Sequence, residues 1–253
     1  MGTQLPLQLV QPLRYSSSAY LVHRGVANVV ASLVTLSYQR VFSLAYVQGD
    51  ARSGKTHTGV HLVGHLTAKG RSARLISRED VAGWYASEFR AKPLRDGETI
   101  VLDDGDRLLE EITQSNQSGI FMDLTEHLSQ VDGTLVILGT VPPEKISCTK
   151  QIRSRLNSGL HLVLEGPADD ELDALLNLIT KQRGLQLSDS KRSYILRRVA
   201  RTLPALVECV EKVEDPRDFS SSRTSFHVLA DAVSQESVIV SLFDLKSVDT
   251  SNG

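Results

Sequence analysis

Two regimes of hydrophobic patterning divide the chain. Up to about residue 165, short apolar runs of strand length alternate with stretches whose apolar positions recur at helical spacing. The strand-like runs are Val41–Val47, Ala73–Ile76, Thr99–Leu102 and Leu135–Leu138, the last closed by the Val141-Pro142-Pro143 break. Between them, Val26–Leu36, Thr58–Ala68 (with Val60, Leu62, Val63 and Leu66 on one side), a stretch around Asp80–Phe89, and Ile120–Leu128 read as helices. Strands alternating with helices predict an α/β fold with a parallel sheet covered on both faces. From Pro167 the strand signal fades, and Asp169–Arg183, Ser188–Ala200 and Thr202–Val213 predict a small helical lid. The expected organisation is a leader and tether at 1–18, a nucleotide-binding α/β domain at 19–165, a helical lid at 166–233 and a tail at 234–253. Within the tail, the apolar run Val238–Phe243 reads as packing or a tail strand.

Chemistry enters at the first strand–helix junction. Gly49-Asp50-Ala51-Arg52-Ser53-Gly54-Lys55-Thr56 spells G-x-x-x-x-G-K-T, and it lies where such a loop works, after a strand and at the start of a helix. Glycines let backbone N–H groups close around phosphates, and the helix N-terminus favours their charge. The expected nucleotide-binding set is Gly49, Asp50, Ala51, Arg52, Ser53, Gly54, Lys55, Thr56 and His57. In it Lys55 reaches the β- and γ-phosphates, and the Thr56 hydroxyl ligates Mg²⁺. The run Thr99-Ile100-Val101-Leu102-Asp103-Asp104 supplies a second half: a short apolar strand ending in two carboxylates, Asp103 for the magnesium shell and Asp104 for the attacking water. The alternative for Asp103-Asp104-Gly105-Asp106 is a surface turn, which the same residue types also favour.

Composition narrows the setting. The chain has 253 residues, 41% of them apolar, enough for one large domain or a core with a lid. Its 28 basic and 30 acidic residues give a net charge of −2, which excludes a strongly cationic nucleic-acid binder. Cys148 and Cys209 have no metal or redox spacing and fit a reducing compartment. No apolar stretch approaches the ~20 residues of a membrane span, and the N-terminus lacks a secretory signal pattern. A soluble, cytoplasmic protein is expected. The leader places Leu5, Leu7 and Leu9 on one side of an extended chain stiffened by Pro6, with Gln4 able to supply a hydrogen bond. It suits insertion into an apolar groove, or an edge strand or arm tucked onto the domain. On the last-but-one helix, Lys191, Arg192, Arg197, Arg198 and Arg201 read as a solvated face, with contact to DNA or an acidic partner as the alternative.

Taken together, the phosphate loop, the Asp103-Asp104 strand, the segment Gln151-Ile152-Arg153-Ser154-Arg155-Leu156-Asn157-Ser158-Gly159-Leu160 and the leader Gln4-Leu5-Pro6-Leu7-Gln8-Leu9 resemble the DnaA/Hda family of AAA+ ATPases. Within that family the shorter Hda-type regulators match better, because the length leaves no room for DnaA's separate DNA-binding domain. The resemblance implies an AAA+ P-loop sheet domain with a helical lid and nucleotide held between them, with ADP or ATP and Mg²⁺ as ligands. It implies that Arg155 is an arginine finger acting on the ATP of a neighbouring subunit, with Arg153 as the rival position. It also implies that Gln4, Leu5, Leu7 and Leu9 bind the DNA polymerase sliding clamp, and that DnaA is the partner whose ATP is hydrolysed. DNA contact and homodimer formation stay open as further associations.

Two positions depart from that family. Thr140 stands where a γ-phosphate sensor is generally acidic or an amide; its hydroxyl can still orient water. Pro204 stands where the lid helix generally begins with a nucleotide-contacting arginine, so the expected grip on nucleotide is weak and intrinsic hydrolysis slow. Three functional classes follow: an Hda-like activator of hydrolysis on DnaA, an active AAA+ ATPase that loads or remodels a replication protein on DNA, and an adaptor that needs no nucleotide. Intact Lys55, Thr56 and Asp103 argue against the last.

Overall fold

The computed structural model describes residues 20–77 and 93–213. The Gln4–Leu9 leader, the helix expected around Asp80–Phe89, and the tail with Val238–Phe243 lie outside the described residues. These fall into two compact units that meet in sequence at Gly166 and Pro167.

The first unit is built on a five-stranded sheet. Its strands are β1 (Ser43–Gln48), β2 (Ala73–Ile76), β3 (Thr99–Leu102), β4 (Thr134–Gly139) and β5 (Leu160–Val163), in the spatial order β2-β3-β4-β1-β5. Every pairing is parallel. The helices are α1 (Arg24–Ser37), α2 (Lys55–Ala68), α3 (Gly105–Gln114), α4 (Gly119–Gln130) and α5 (Lys150–Ser158). The four strand-like runs of the sequence are all strands, and both faces are covered, as the unbroken burial of β3 and β4 requires.

Side-chain alternation assigns each strand residue to a face. Leu44, Tyr46, Ile100, Leu102, Leu135 and Ile137 point one way and pack with Leu108, Leu109, Phe121, Leu124, Leu128, Ile152 and Leu156 of α3, α4 and α5. Ala45, Val47, Val101, Val136 and Leu138 point the other way, onto Val26, Val29 and Leu33 of α1 and Leu62 and Leu66 of α2. At Gly59 an added Cβ would lie 2.7 Å from Leu75 Cδ1 and 3.0 Å from Leu138 Cδ1, so glycine lets α2 approach the sheet.

Among the described residues the second unit carries a 3-10 turn (Asp169–Glu171) and the helices α6 (Leu172–Gln182), α7 (Asp189–Leu196) and α8 (Leu203–Val213). Leu172, Leu176, Ile195, Val199, Leu206, Cys209 and Val210 form its own core. Pro204 sits in the first turn of α8, where a missing N–H is tolerated, and Thr202 accepts from Ala205 N–H at 3.4 Å. Among the described residues, no helix is long and apolar enough to cross a membrane.

Candidate functional site

All five strands run the same way, so their carboxyl ends share one edge, the edge at which ligands bind in open α/β sheets. Gln48 pairs with Gly139, and Leu102 with Ile137, which brings the loop after β1, the acids after β3 and Thr140 after β4 to that edge.

The glycine loop joins β1 to α2. Gly49 N–H donates to Gly139 O at 3.1 Å, and Ser53 N–H to Asp50 O at 3.1 Å. Gly54 takes φ 93°, in the left-handed region that glycine enters without strain, and serves as the N-cap of α2 with no side chain to cap it. The first N–H groups of α2 are therefore not capped by a side chain and suit an anion. Lys55 is buried, and its Nζ donates to Gly49 O and Asp50 O, each at 2.8 Å. Burial lowers its pKa, opposed by the charges of Asp106, Asp104, Asp103 and Asp50. Burial likewise lowers the pKa of His57. Thr58, one turn into α2, donates to Gly54 O at 3.0 Å and shares a 2.8 Å hydrogen bond with the Tyr20 hydroxyl, pinning the loop from behind.

Thr56 donates its hydroxyl to Asp103 Oδ2 at 2.7 Å, so the two residues expected to serve the magnesium ion touch. Asp103 Oδ1 and Ser53 Oγ are buried without a hydrogen-bond partner. Burial raises the Asp103 pKa, against the lowering effect of its bond to Thr56. These oxygens fit the expected group: a hydroxyl and a carboxylate are hard donors, and Mg²⁺ completes its shell with water and phosphate oxygens. Among the described residues no three His, Cys, Asp or Glu side chains form a metal cage, which a nucleotide-borne Mg²⁺ does not need. Asp104 is exposed, at φ 49°, and is the N-cap residue of α3.

The acidic run is therefore a turn at Asp103-Asp104 that leads directly into α3, and its third carboxylate has a role that the sequence did not reveal. Asp106 is 3% exposed; its Oδ2 accepts from Thr140 N–H (2.7 Å) and Val141 N–H (3.0 Å), and its Oδ1 from Arg107 N–H (3.0 Å). The Tyr46 hydroxyl donates to Val141 O at 2.5 Å, and its pKa is raised by burial and then by Asp106. Thr140 itself is exposed, its backbone set by Asp106.

Arg155 and Arg153 differ sharply in environment. Ile152 and Leu156 bury one face of α5, while Arg155 is exposed and its side chain makes no hydrogen bond or ion pair with any described residue. Arg153 instead donates Nη1 to Pro143 O and Nη2 to Ile146 O. Arg155 is not brought into hydrogen-bond contact with the phosphate loop of its own chain. Several of the second unit's basic residues are engaged locally: Arg192 with Asp173 and Asp189 (3.0 and 2.8 Å), Arg201 with Asp169 (3.1 Å), and Arg198 over the Tyr194 ring (4.1 Å).

No protein-family model matches the chain. Among curated proteins it is 26% identical over 171 residues to an uncharacterized protein of Haemophilus influenzae, covering 67% of this chain and 72% of that one. It is 26% identical over 209 residues to the chromosomal replication initiator protein DnaA of Thermus thermophilus, covering 76% of this chain and 46% of that protein. The chain thus spans about half the length of the DnaA relatives it matches. Domain III of the Thermotoga maritima replication initiation protein DnaA superposes with a TM-score of 0.68 at 15% identity, covering 89% of this chain and 98% of that one. AMPPCP-bound DnaA from Aquifex aeolicus gives 0.59 at 16% identity, covering 81% and 66%. The chain has a DnaA-like AAA+ P-loop fold.

Proposed function

We propose that this chain is an Hda-like negative regulator of replication initiation, which binds ADP or ATP with Mg²⁺ and stimulates hydrolysis of the ATP held by DnaA. The observation that carries this reading is the contrast between the two arginines of α5. Arg153 is consumed within its own unit, whereas Arg155 projects from it with no described partner. A guanidinium so presented can stabilise charge on a phosphoryl group in a neighbouring molecule, as arginine fingers do in related GTPases with roughly 10³–10⁵-fold effect. The chain's own nucleotide, held by Gly49–His57 with Thr56 and Asp103 at the metal, is then chiefly structural. Thr140 and Asp104 would serve whatever slow intrinsic turnover remains. The leader residues Gln4, Leu5, Leu7 and Leu9 would tether the protein to a sliding clamp, on DNA and in the cytoplasm.

The test is hydrolysis of ATP preloaded on DnaA, in the presence of DNA-loaded clamp, with wild type, Arg155→Ala or Gln4→Ala. Acceleration by wild type alone supports the reading; no acceleration by any of them removes it. The Thr56–Asp103 bond favours a second reading, an active ATPase that loads or remodels a replication protein on DNA. That reading requires substantial turnover by the chain alone, lost in Asp104→Ala and stimulated by DNA.

A further inference from the structure

The segment from Thr140 to Thr149 connects β4 to α5 and contains only the 3-10 turn Pro143–Lys145 as regular structure. Side chains hold it instead. Asp106 takes the N–H groups of Thr140 and Val141, Tyr46 donates to Val141 O, and Glu110 Oε1 accepts from Ser147 N–H at 3.2 Å. Thr149 caps α5 by accepting from Ile152 N–H at 3.4 Å. Ile146 is buried in the core of the unit, and a further tie comes from α5 itself, where Arg153 reaches back to Pro143 O and Ile146 O. Residues two apart on a helix lie roughly 200° apart around its axis. Arg153 therefore faces the turn while Arg155 faces away from it.

We infer that Arg153 is a positioning residue for Arg155: its planar fork locks the start of α5 to the 143–146 turn and so sets the angle at which Arg155 leaves the unit. The inference rests on the reading in which Arg155 acts on a partner's nucleotide, and it assigns a distinct task to the second arginine. Two carbonyls in different directions need the fixed, multi-donor geometry of guanidinium; an ammonium on a flexible stem supplies the same charge as a point donor. Misplacement of a reacting group by about 1 Å can cost ~10²-fold in rate, so a loosened α5 weakens catalysis without removing Arg155. Asp106, anchored on α3 beside Lys55, fixes the other end of the same segment.

Two measurements on the full chain decide it, using wild type, Arg153→Ala, Arg153→Lys and Arg155→Ala. Amide hydrogen exchange of the 140–158 segment should quicken by about 10-fold or more in both Arg153 variants and stay at the wild-type rate in Arg155→Ala. In the hydrolysis assay on ATP-loaded DnaA, both Arg153 variants should lower the rate at saturation by about 10-fold while the half-saturating concentration moves less than about 2-fold. Wild-type exchange in Arg153→Ala overturns the inference. So does full recovery by Arg153→Lys, which would make charge sufficient, or a change confined to the half-saturating concentration, which would make Arg153 a docking contact. If Arg153→Ala does not fold, Arg153→Lys carries the same decision. A wild type that accelerates nothing sinks the partner reading, whereas quickened exchange in the Arg153 variants still upholds the brace.

Discussion

Thr56 and Asp103 lie 47 residues apart in the chain and are joined by a 2.7 Å hydrogen bond across the head of the sheet. The bond occupies one carboxylate oxygen and leaves Asp103 Oδ1 buried without a partner. A buried polar atom without a partner is costly and calls for a reason; an oxygen ligand awaiting a divalent ion supplies one.

The first prediction follows from the sign of the Asp103 shift. Burial raises its folded-state pKa above 3.8, so what this group contributes to stability is fully present below that value and lost as pH rises through the folded one. At neutral pH the ionised Asp103 opposes folding of the ligand-free protein. Asp103→Asn should melt higher than wild type near pH 7.5 without nucleotide, and the gap should close towards pH 4. With Mg²⁺ and nucleotide the order should reverse. A ligand-free Asp103→Asn that melts below wild type at pH 7.5 contradicts this.

The second concerns Lys55, whose ammonium donates to the loop carbonyls of Gly49 and Asp50. Charge-assisted hydrogen bonds are worth about 1.5–3 kcal/mol. Lys55→Met should therefore weaken ADP binding by about 10–100-fold and leave AMP binding nearly unchanged, since the lysine reaches the outer phosphates. Titration of fluorescent analogues of both nucleotides gives the comparison; equal loss for both would place Lys55 elsewhere.

The third is a packing prediction. Gly59→Ala gains about 1 kcal/mol of helix propensity but drives a methyl to 2.7 Å from Leu75 Cδ1 and 3.2 Å from Val101 Cγ1. Overpacking of this kind costs about 1–3 kcal/mol, so the net effect is a loss of up to about 2 kcal/mol. Thermal melts should show a fall of several degrees.

What could be read from the chain and what could not separates along physical lines. The strands Ala73–Ile76 and Thr99–Leu102 were legible to the residue because both are short apolar runs bounded by polar ones. Strand β5 was not, because it is an edge strand with only Leu162 half-buried and so shows no alternation. Helix α3 hid behind Asp103-Asp104-Gly105-Asp106, whose composition suits a turn equally well; burial of Leu108, Leu109 and Ile112 decides for the helix. The strand–loop–helix placement of Gly49–Thr56 was legible from a contiguous motif. The Asp106 clamp on Thr140 and Val141 spans 34 and 35 residues and could come only from the fold. So could the different tasks of Arg153 and Arg155, which share one sequence environment and differ by the turn of a helix.

The fourth prediction tests the lid. If Pro204 weakens the hold on nucleotide by replacing a basic donor, Pro204→Arg should tighten ADP binding by roughly 10-fold, the worth of one charge-assisted hydrogen bond. The substitution is structurally mild, since Thr202 still caps the first turn of α8. Unchanged affinity by calorimetric titration would mean that position 204 makes no contact with the nucleotide.

The last prediction separates the frame of the sheet from its chemistry. Glu98 is 2% exposed and accepts from Ser72 Oγ (2.8 Å), Arg74 Nε (2.9 Å), Arg74 Nη2 (3.0 Å) and Arg95 N–H (2.9 Å), tying the start of β2 to the start of β3. Glu98 is buried and Arg74 partly exposed, so removing Arg74 strands a buried carboxylate, whereas replacing both with apolar residues costs less. Glu98→Leu and Arg74→Met should each lower the melting temperature markedly, and the double variant Glu98→Leu, Arg74→Met should lose less than the sum of the two. These residues lie at the amino ends of their strands, opposite the edge that carries Lys55, Thr56 and Asp103. ADP affinity, measured well below the melting temperature, should therefore match wild type in all three variants. A large loss of affinity in the double variant would show that the far edge of the sheet feeds into the phosphate loop.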